Sequence, residues 1–154
     1  MNCNSGKFDA KFLDLTDLFR STDVSEDFNR NISLSEYDIE NEFDEPININ
    51  GTVKNSLGII TFKAVVKGTH NAVCARCAEP VKIELESRLD TILTQTEAKD
   101  DSVTIENGKI DLAKTAYDAL SLEIPLVVIC DEDCKGLCPQ CGTNLNNGNC
   151  NCVQ

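Results

Sequence analysis

Hydrophobic and polar residues alternate most regularly in the centre of the chain. Three runs carry apolar side chains with a period of two, each of the outer runs skipping one position: Ile47, Ile49 and Val53; Ile60, Phe62, Ala64 and Val66; and Val81, Ile83, Leu85 and Leu89. A period of two with many β-branched residues is typical of strands that bury one face. The pattern predicts antiparallel strands with one face on the core and one in water. Asn55-Ser56 is interpreted as the turn between the first two runs.

The residues before the centre give weaker signals. Phe8–Phe12 alternates and indicates a first strand, Leu15–Arg20 indicates a short helix, and Ile32 and Leu34 mark a further short strand. Beyond the centre, residues 97–109 are interpreted as an exposed loop that contains a short strand at Val103–Ile105.

One longer helix is predicted after this loop. Its apolar face carries Leu112, Ala116, Ala119 and Leu120, spaced as on one side of a helix. Asp111 is placed to cap the first turn by accepting a main-chain N–H, and Pro125 is expected to stop the helix. The apolar run that follows leads directly to Cys130.

The chain of 154 residues, 41% of them hydrophobic, is long enough for one domain with a real core. We expect an α+β fold: a curved antiparallel sheet with one packed helix and a C-terminal zinc-binding region. Residues 1–45 are an acidic segment of the same domain, 46–129 hold the sheet and helix, and 130–154 form a cysteine-rich tail.

The chain contains no apolar run long enough to span a membrane, and its N-terminus does not read as a secretory signal. We therefore expect a cytoplasmic protein with no membrane partner. The formal net charge is −12, which argues against tight direct binding of nucleic acid because such affinity comes mainly from Lys and Arg. A basic protein partner fits this charge better. The alternative that the acidity only aids solubility stays open.

Cysteine spacing is the strongest chemical signal. Eight of the nine cysteines form four close pairs: Cys74 and Cys77, Cys130 and Cys134, Cys138 and Cys141, and Cys150 and Cys152. Four thiolates bind one zinc ion in a closed tetrahedral site, so eight suggest two structural Zn²⁺ ions. In a reducing cytosol such pairs favour metal ligation over disulfides. Spacing alone leaves the grouping into sites open, and Cys3 is expected to be a free thiol.

Other functions of individual residues fit the sequence less well. A redox dithiol at Cys74 and Cys77 is disfavoured because it normally opens a helix after a strand. His70, the only histidine, is interpreted as a surface residue rather than a spare ligand. Arg76 could contact a phosphate or carboxylate, but offsetting thiolate charge is favoured. No catalytic motif or phosphate-binding loop is present, so we expect neither an enzyme nor a small-molecule substrate.

These motifs occur in a combination that also characterises one known protein family. The matching residues are Cys74-x-Arg76-Cys77 with Glu79-Pro80-Val81, Ile110-Asp111-Leu112, Leu122-x-Ile124-Pro125, Cys130-x-x-x-Cys134-Lys135-Gly136-Leu137-Cys138-Pro139-x-Cys141-Gly142-x-Asn144-Leu145-Asn146, and Cys150-x-Cys152. Over residues 46–152 the chain resembles the YceD family of large ribosomal RNA subunit accumulation proteins.

The resemblance implies a ligand partition and a function. Site one would hold Cys74, Cys77, Cys130 and Cys134, and site two would hold Cys138, Cys141, Cys150 and Cys152. The implied function is non-enzymatic support of the synthesis, processing or stability of large-subunit (23S) rRNA, with a ribosomal protein or preribosomal particle as partner. The alternatives are a redox-sensing, chaperone-like zinc module and, less favoured, a thiol oxidoreductase.

Overall fold

The protein is described from a computed structural model, which covers residues 11–38, 41–93, 103 and 105–152. The described elements follow in chain order: β1 (Phe12–Asp14), α1 (Thr16–Arg20), β2 (Val24–Ile32), β3 (Phe43–Ser56), β4 (Ile59–Val73), β5 (Pro80–Leu93), β6 (Ile105–Glu106), β7 (Lys109–Asp111) and α2 (Leu112–Leu122). They form one four-stranded sheet in the order β2-β3-β4-β5 and one three-stranded sheet in the order β1-β7-β6. The fold is therefore mainly antiparallel sheet with a short packed helix, in agreement with the expected architecture.

The four-stranded sheet is a meander of antiparallel neighbours. The three alternating runs are confirmed as β3, β4 and β5, all of them longer than the sequence predicts. The turn predicted at Asn55-Ser56 is wrong. Ser56 still pairs with Ile59, so Leu57-Gly58 makes the turn. Both turn residues have positive φ, at 52° and 90°, as a two-residue hairpin turn requires.

Asn55 explains why the prediction of that turn was wrong. Its side chain is buried rather than exposed in a turn. The amide nitrogen donates to the carbonyls of Leu18 and Ser21, both at 2.9 Å, and the amide oxygen accepts the N–H of Gly58. Asn55 therefore fastens α1 to the hairpin and satisfies main-chain groups that the core would otherwise leave unpaired.

The main core lies between the inner face of the large sheet and α2. Side chains from β3 and β4 on this face are almost completely buried, with Ile47, Ile49, Val53, Phe62 and Val66 among them. From α2 the predicted face is confirmed, since Leu112, Ala116, Ala119 and Leu120 are all buried. The N-terminal part of the chain contributes Leu13, Leu15, Leu18, Phe28, Ile32 and Leu34 to the same core.

The three-stranded sheet is an addition to the predicted architecture of one curved sheet with one packed helix. β1 pairs with β7, so a strand from the N-terminal part of the chain lies beside a strand that immediately precedes α2. Such long-range pairing leaves little local signal in short strands of three residues. The short helix predicted at Leu15–Arg20 is confirmed as α1. The predictions for Phe8 and Ala10, for Cys3 and for most of the loop before Val103 lie outside the described residues.

α2 begins and ends where the sequence predicts. The Asp111 carboxylate accepts the main-chain N–H of Lys114 at 2.9 Å and the hydroxyl of Tyr37 at 2.7 Å. The helix ends at Leu122, three residues before Pro125. Among the described residues, no helix is long and apolar enough to cross a membrane.

Candidate metal centre

The first cysteine pair lies at the tip of the β4–β5 hairpin. β4 and β5 remain paired up to Val73 and Pro80, so Cys74 and Cys77 fall in the connecting turn, as predicted. The Cys74 N–H donates to the carbonyl of Glu79 at 2.8 Å, and the Cys74 carbonyl accepts the N–H of Ala78 at 3.0 Å. This tight turn holds the two buried sulfurs within 4.8 Å of each other.

The second pair reaches the same place from the far side of α2. After the helix, a return segment (residues 123–134) leads back to the hairpin tip. There the Ala75 N–H donates to the carbonyl of Val128 at 2.8 Å. Cys130 follows two residues later, and a local turn bonds the Cys134 N–H to the carbonyl of Asp131 at 3.1 Å. The helix and this return segment thus bring two pairs separated by more than fifty residues together.

The first quartet comprises Cys74, Cys77, Cys130 and Cys134, whose sulfurs all lie within 4.8 Å of one another. The Sγ–Sγ distances are 3.9 Å between Cys74 and Cys134 and 3.6 Å between Cys77 and Cys130. Zn–S bonds of about 2.3 Å in a tetrahedron place sulfurs about 3.8 Å apart. A disulfide would need about 2.05 Å. All four are free thiols, and their spacing fits a tetrahedral ion.

The second quartet comprises Cys138, Cys141, Cys150 and Cys152, also within 4.8 Å of one another. A tight turn holds its first half: the Gly142 N–H donates to the Cys138 carbonyl at 2.9 Å, and the Cys138 N–H donates to the Thr143 carbonyl at 2.8 Å. Gly142 adopts a φ of 73°, a conformation that favours glycine. The Sγ atoms of Cys138 and Cys150 are 3.4 Å apart.

The two quartets are linked by hydrogen bonds. The Asn146 side chain lies between the two pairs of the second quartet in sequence, yet its amide donates to the Cys134 sulfur at 3.3 Å. Its oxygen accepts the Lys135 N–H at 2.8 Å. Asn144 donates to the Glu79 carboxylate at the hairpin tip. Neither asparagine was predicted to have a role, although both belong to the motif that carries the family resemblance.

The pKa values of Cys74 and Cys130, two thiols of the first quartet, shift in opposite directions. The pKa of Cys74 falls to about 6, chiefly because main-chain N–H groups from Cys77, Cys130 and Arg76 donate to its sulfur. The pKa of Cys130 rises to about 12 because the sulfurs of Cys134 and Cys77 surround it. A second thiolate is unfavourable beside the first, and a bound dication would remove that penalty.

The second quartet has the same electrostatic pattern in a more exposed setting. The pKa of Cys141 falls to about 6, first because the Thr143 hydroxyl donates to it. The pKa of Cys152 rises to about 11, first because of its side-chain hydrogen bond with Cys141. Cys138 is buried, Cys150 and Cys152 are half-buried, and Cys141 is exposed. This quartet therefore lies closer to solvent than the first, in which only Cys130 is exposed.

One further sequence prediction is corrected by the structure, and Arg76 gains a contact that was not predicted. His70 was expected at the surface, but it is buried beside Phe43, with ring centroids 5.3 Å apart. Its position in β4 places it on the core side of the sheet, which explains the error. Arg76 donates to the main-chain carbonyls of Glu132 and Cys134, at 2.9 and 3.2 Å. Arg76 thus ties the hairpin tip to the return segment, and its offset of thiolate charge stays a prediction.

Comparison with known proteins identifies a family that matches the part of the chain holding both quartets. The family described as large ribosomal RNA subunit accumulation protein YceD matches residues 62–154, a range that contains all eight paired cysteines. An uncharacterized protein of Mycobacterium bovis is 38% identical over 79 residues, covering 47% of this chain and 38% of the relative. No solved structure matches the chain.

Two plant proteins are also similar, both named large ribosomal RNA subunit accumulation protein YCED homolog 1, chloroplastic. The Zea mays protein is 28% identical over 142 residues, covering 70% of this chain and 48% of the relative. The Arabidopsis thaliana protein is 47% identical over 47 residues, covering 30% of this chain and 15% of the relative. The chain thus spans about half or less of the length of these curated relatives.

Proposed function

The chain belongs to the YceD family of large ribosomal RNA subunit accumulation proteins, and from that premise we propose that it is a ribosome biogenesis factor. In this proposal it supports the synthesis, processing or stability of 23S rRNA in the cytoplasm without catalysing a reaction itself. The family match over residues 62–154 is the observation that carries the proposal.

Each cysteine quartet is proposed to hold one structural Zn²⁺ ion. Four sulfurs at tetrahedral spacing form a closed site, without the open position that a catalytic zinc needs. In the first quartet the ion would fasten the β4–β5 hairpin to the return segment after α2, and in the second it would fold a tail that has almost no apolar core. Four-thiolate sites also suit iron–sulfur centres, so metal analysis of the purified protein decides this point. Two zinc per chain is the expected result, and iron or no metal would contradict it.

The proposed partner is a ribosomal protein or a preribosomal particle that binds through protein surfaces. A net charge of −12 opposes direct contact with phosphates, whereas it attracts basic proteins. The experiment that tests this is affinity purification of the tagged protein from growing cells. We expect enrichment of large-subunit assembly particles or their proteins. Equal recovery with an untagged control would count against the proposal.

A redox-sensing, chaperone-like function is the second candidate, and the exposure of Cys141 together with its lowered pKa of about 6 favours it. Exposed thiolates are the preferred targets of oxidation. In this alternative, peroxide would release zinc and expose apolar surface that prevents aggregation of other proteins. Zinc release under mild peroxide with no gain of such activity would exclude it.

A further inference from the structure

The chain between α2 and Cys130 is apolar but is not buried. This apolar run, Leu126–Ile129, has no charged or polar side chain. Leu126 is fully exposed, Val127 is 67% exposed and Ile129 is 37% exposed. Val73 is also 62% exposed. It lies two residues before Ala75, whose main-chain N–H donates a hydrogen bond to the carbonyl of Val128. Isolated apolar residues on a surface are common, whereas larger contiguous apolar patches with a polar rim mark interaction sites.

The main chain of the apolar run is also open to a partner. Within the described part of the chain, its only main-chain hydrogen bond is the one that the Val128 carbonyl accepts from Ala75. Unpaired N–H and C=O groups beside apolar side chains are the features by which extended peptides are recognised. The run is nevertheless held in place, because the Cys130 N–H at its end donates to the Cys74 sulfur at 3.3 Å.

Acidic residues flank the apolar run on both sides. Glu123 precedes it and Asp131-Glu132-Asp133 follow it, all exposed. Among the described residues none of these four carboxylates takes part in a salt bridge. The nearby Arg76 is already engaged with main-chain carbonyls. The surface therefore offers apolar contact inside a negative rim, which is complementary to an apolar segment carrying lysine or arginine.

The same four carboxylates disfavour a second copy of this chain, RNA or an anionic lipid as the molecule bound at this surface. If the runs of two copies paired antiparallel, Glu123 of each copy would face Glu132 of the other, and a parallel pairing would align like residues. Like charges placed opposite one another are destabilising. Phosphates of RNA or of anionic lipids would meet the same four carboxylates.

We propose that the apolar run with its acidic rim is the docking surface for an apolar segment of a basic protein. This inference deepens the proposed function and rests on it, because it states where the protein partner binds. It also gives the first quartet a role in recognition, since the metal would hold the end of the run through Cys130.

A site-specific cross-link tests the identity of the occupant. The photoreactive residue p-benzoylphenylalanine is placed at Val127 of the full chain in growing cells, and the products are identified by mass spectrometry. We expect a covalent adduct with a basic protein, reduced at least about fivefold in the Glu123→Gln/Glu132→Gln variant, which removes charge with little change of shape. An adduct with a second copy, with RNA or within the same chain, or no adduct above background, would overturn the proposal.

Binding in vitro tests the chemistry with defined probes. The purified metal-loaded protein is titrated into a fluorescent peptide of alternating lysine and valine, with glutamate–valine and lysine–serine peptides as comparisons. Leu126→Ser/Val127→Ser should weaken binding of the lysine–valine peptide by about tenfold or more. The control is Leu57→Ser, also exposed (87%) but at the opposite end of β4, and it should bind like the unchanged protein. Equal binding of all three peptides, or equal loss in both variants, would refute the proposal.

The rRNA readout separates this inference from the proposed function. If depletion of the protein lowers large-subunit rRNA and Leu126→Ser/Val127→Ser restores it fully, the docking surface is refuted while the biogenesis function stands. If depletion leaves large-subunit rRNA unchanged, the biogenesis function is refuted, and the peptide and cross-linking results judge the surface independently. The variant must retain its metal content and melting temperature, which is expected because both side chains are exposed.

Discussion

Replacing one ligand in each quartet should have unequal effects on stability. Cys130→Ser removes a proposed metal ligand of the first quartet, in which Cys77 and Cys130 are 53 residues apart in sequence. A cross-link closing a loop of that length stabilises by about 4 kcal/mol through the entropy of the unfolded chain. In a domain of this size each kcal/mol moves Tm by about 2–4 °C. We therefore expect Cys130→Ser to lower the main transition by roughly 8–16 °C.

Cys150→Ser is the matched substitution in the second quartet. Cys138 and Cys150 are only 12 residues apart, so the same reasoning gives about 3 kcal/mol. This stabilisation is local, because the buried residues of the main core cluster all lie before the tail, the last being Leu120. We expect Cys150→Ser to lose one metal ion and loosen the tail, with a shift of the main transition well below that of Cys130→Ser.

The assay combines metal content, thermal unfolding and hydrogen exchange on the same preparations. In Cys130→Ser, amides of the β4–β5 hairpin should lose protection, whereas in Cys150→Ser the loss should stay within residues 136–152. Equal shifts of Tm in the two variants, or loss of both metals from either one, would refute the partition into a fold-supporting site and a tail site.

Three further predictions follow from individual contacts. Asn146→Ala should weaken metal binding by the first quartet about tenfold, as outer-shell substitutions do, with Asn147→Ala as the unchanged control in a chelator competition. Gly136→Ala should be more destabilising than Gly142→Ala, because both have φ near +70° but only at Gly136 would a Cβ lie 3.0 Å from a main-chain oxygen; equal melting temperatures would contradict this. Burial alone would raise the pKa of Asp111, yet hydrogen bonds to the ionised carboxylate hold the pKa below its ordinary value of 3.8. The stabilisation of the fold by this carboxylate should therefore be present above about pH 4 and be lost as pH falls through the folded pKa. Asp111→Ala should therefore cost about 1 kcal/mol at pH 7 and less in acid, and a cost independent of pH would contradict the reasoning.

The sequence predicted those features that local patterns encode. Period-two alternation located the strands around Ile49, Phe62 and Ile83, and cap chemistry located the start of α2 at Asp111. Cysteine spacing identified the pairs, but the way in which pairs combine is a long-range property that spacing left open. The structure gives the same two groups that the family resemblance implied.

The features that the sequence missed depend on tertiary contacts. The burial of His70 depends on which face of a long strand meets the core, and the role of Arg76 depends on a segment more than fifty residues away. β1 and β7 are three residues each, too short for alternation to be visible. The turn at Leu57-Gly58 was missed because Asn55, an ordinary turn residue by composition, is used here to satisfy buried carbonyls.

The most direct test of the biogenesis function is the ratio of large- to small-subunit rRNA in cells depleted of this protein and complemented with defined variants. We expect depletion to lower the large-subunit species selectively, the unchanged protein to restore it, and Cys130→Ser to fail. An unchanged ratio on depletion, particularly with impaired growth under oxidants, would contradict the account and favour the redox-sensing alternative.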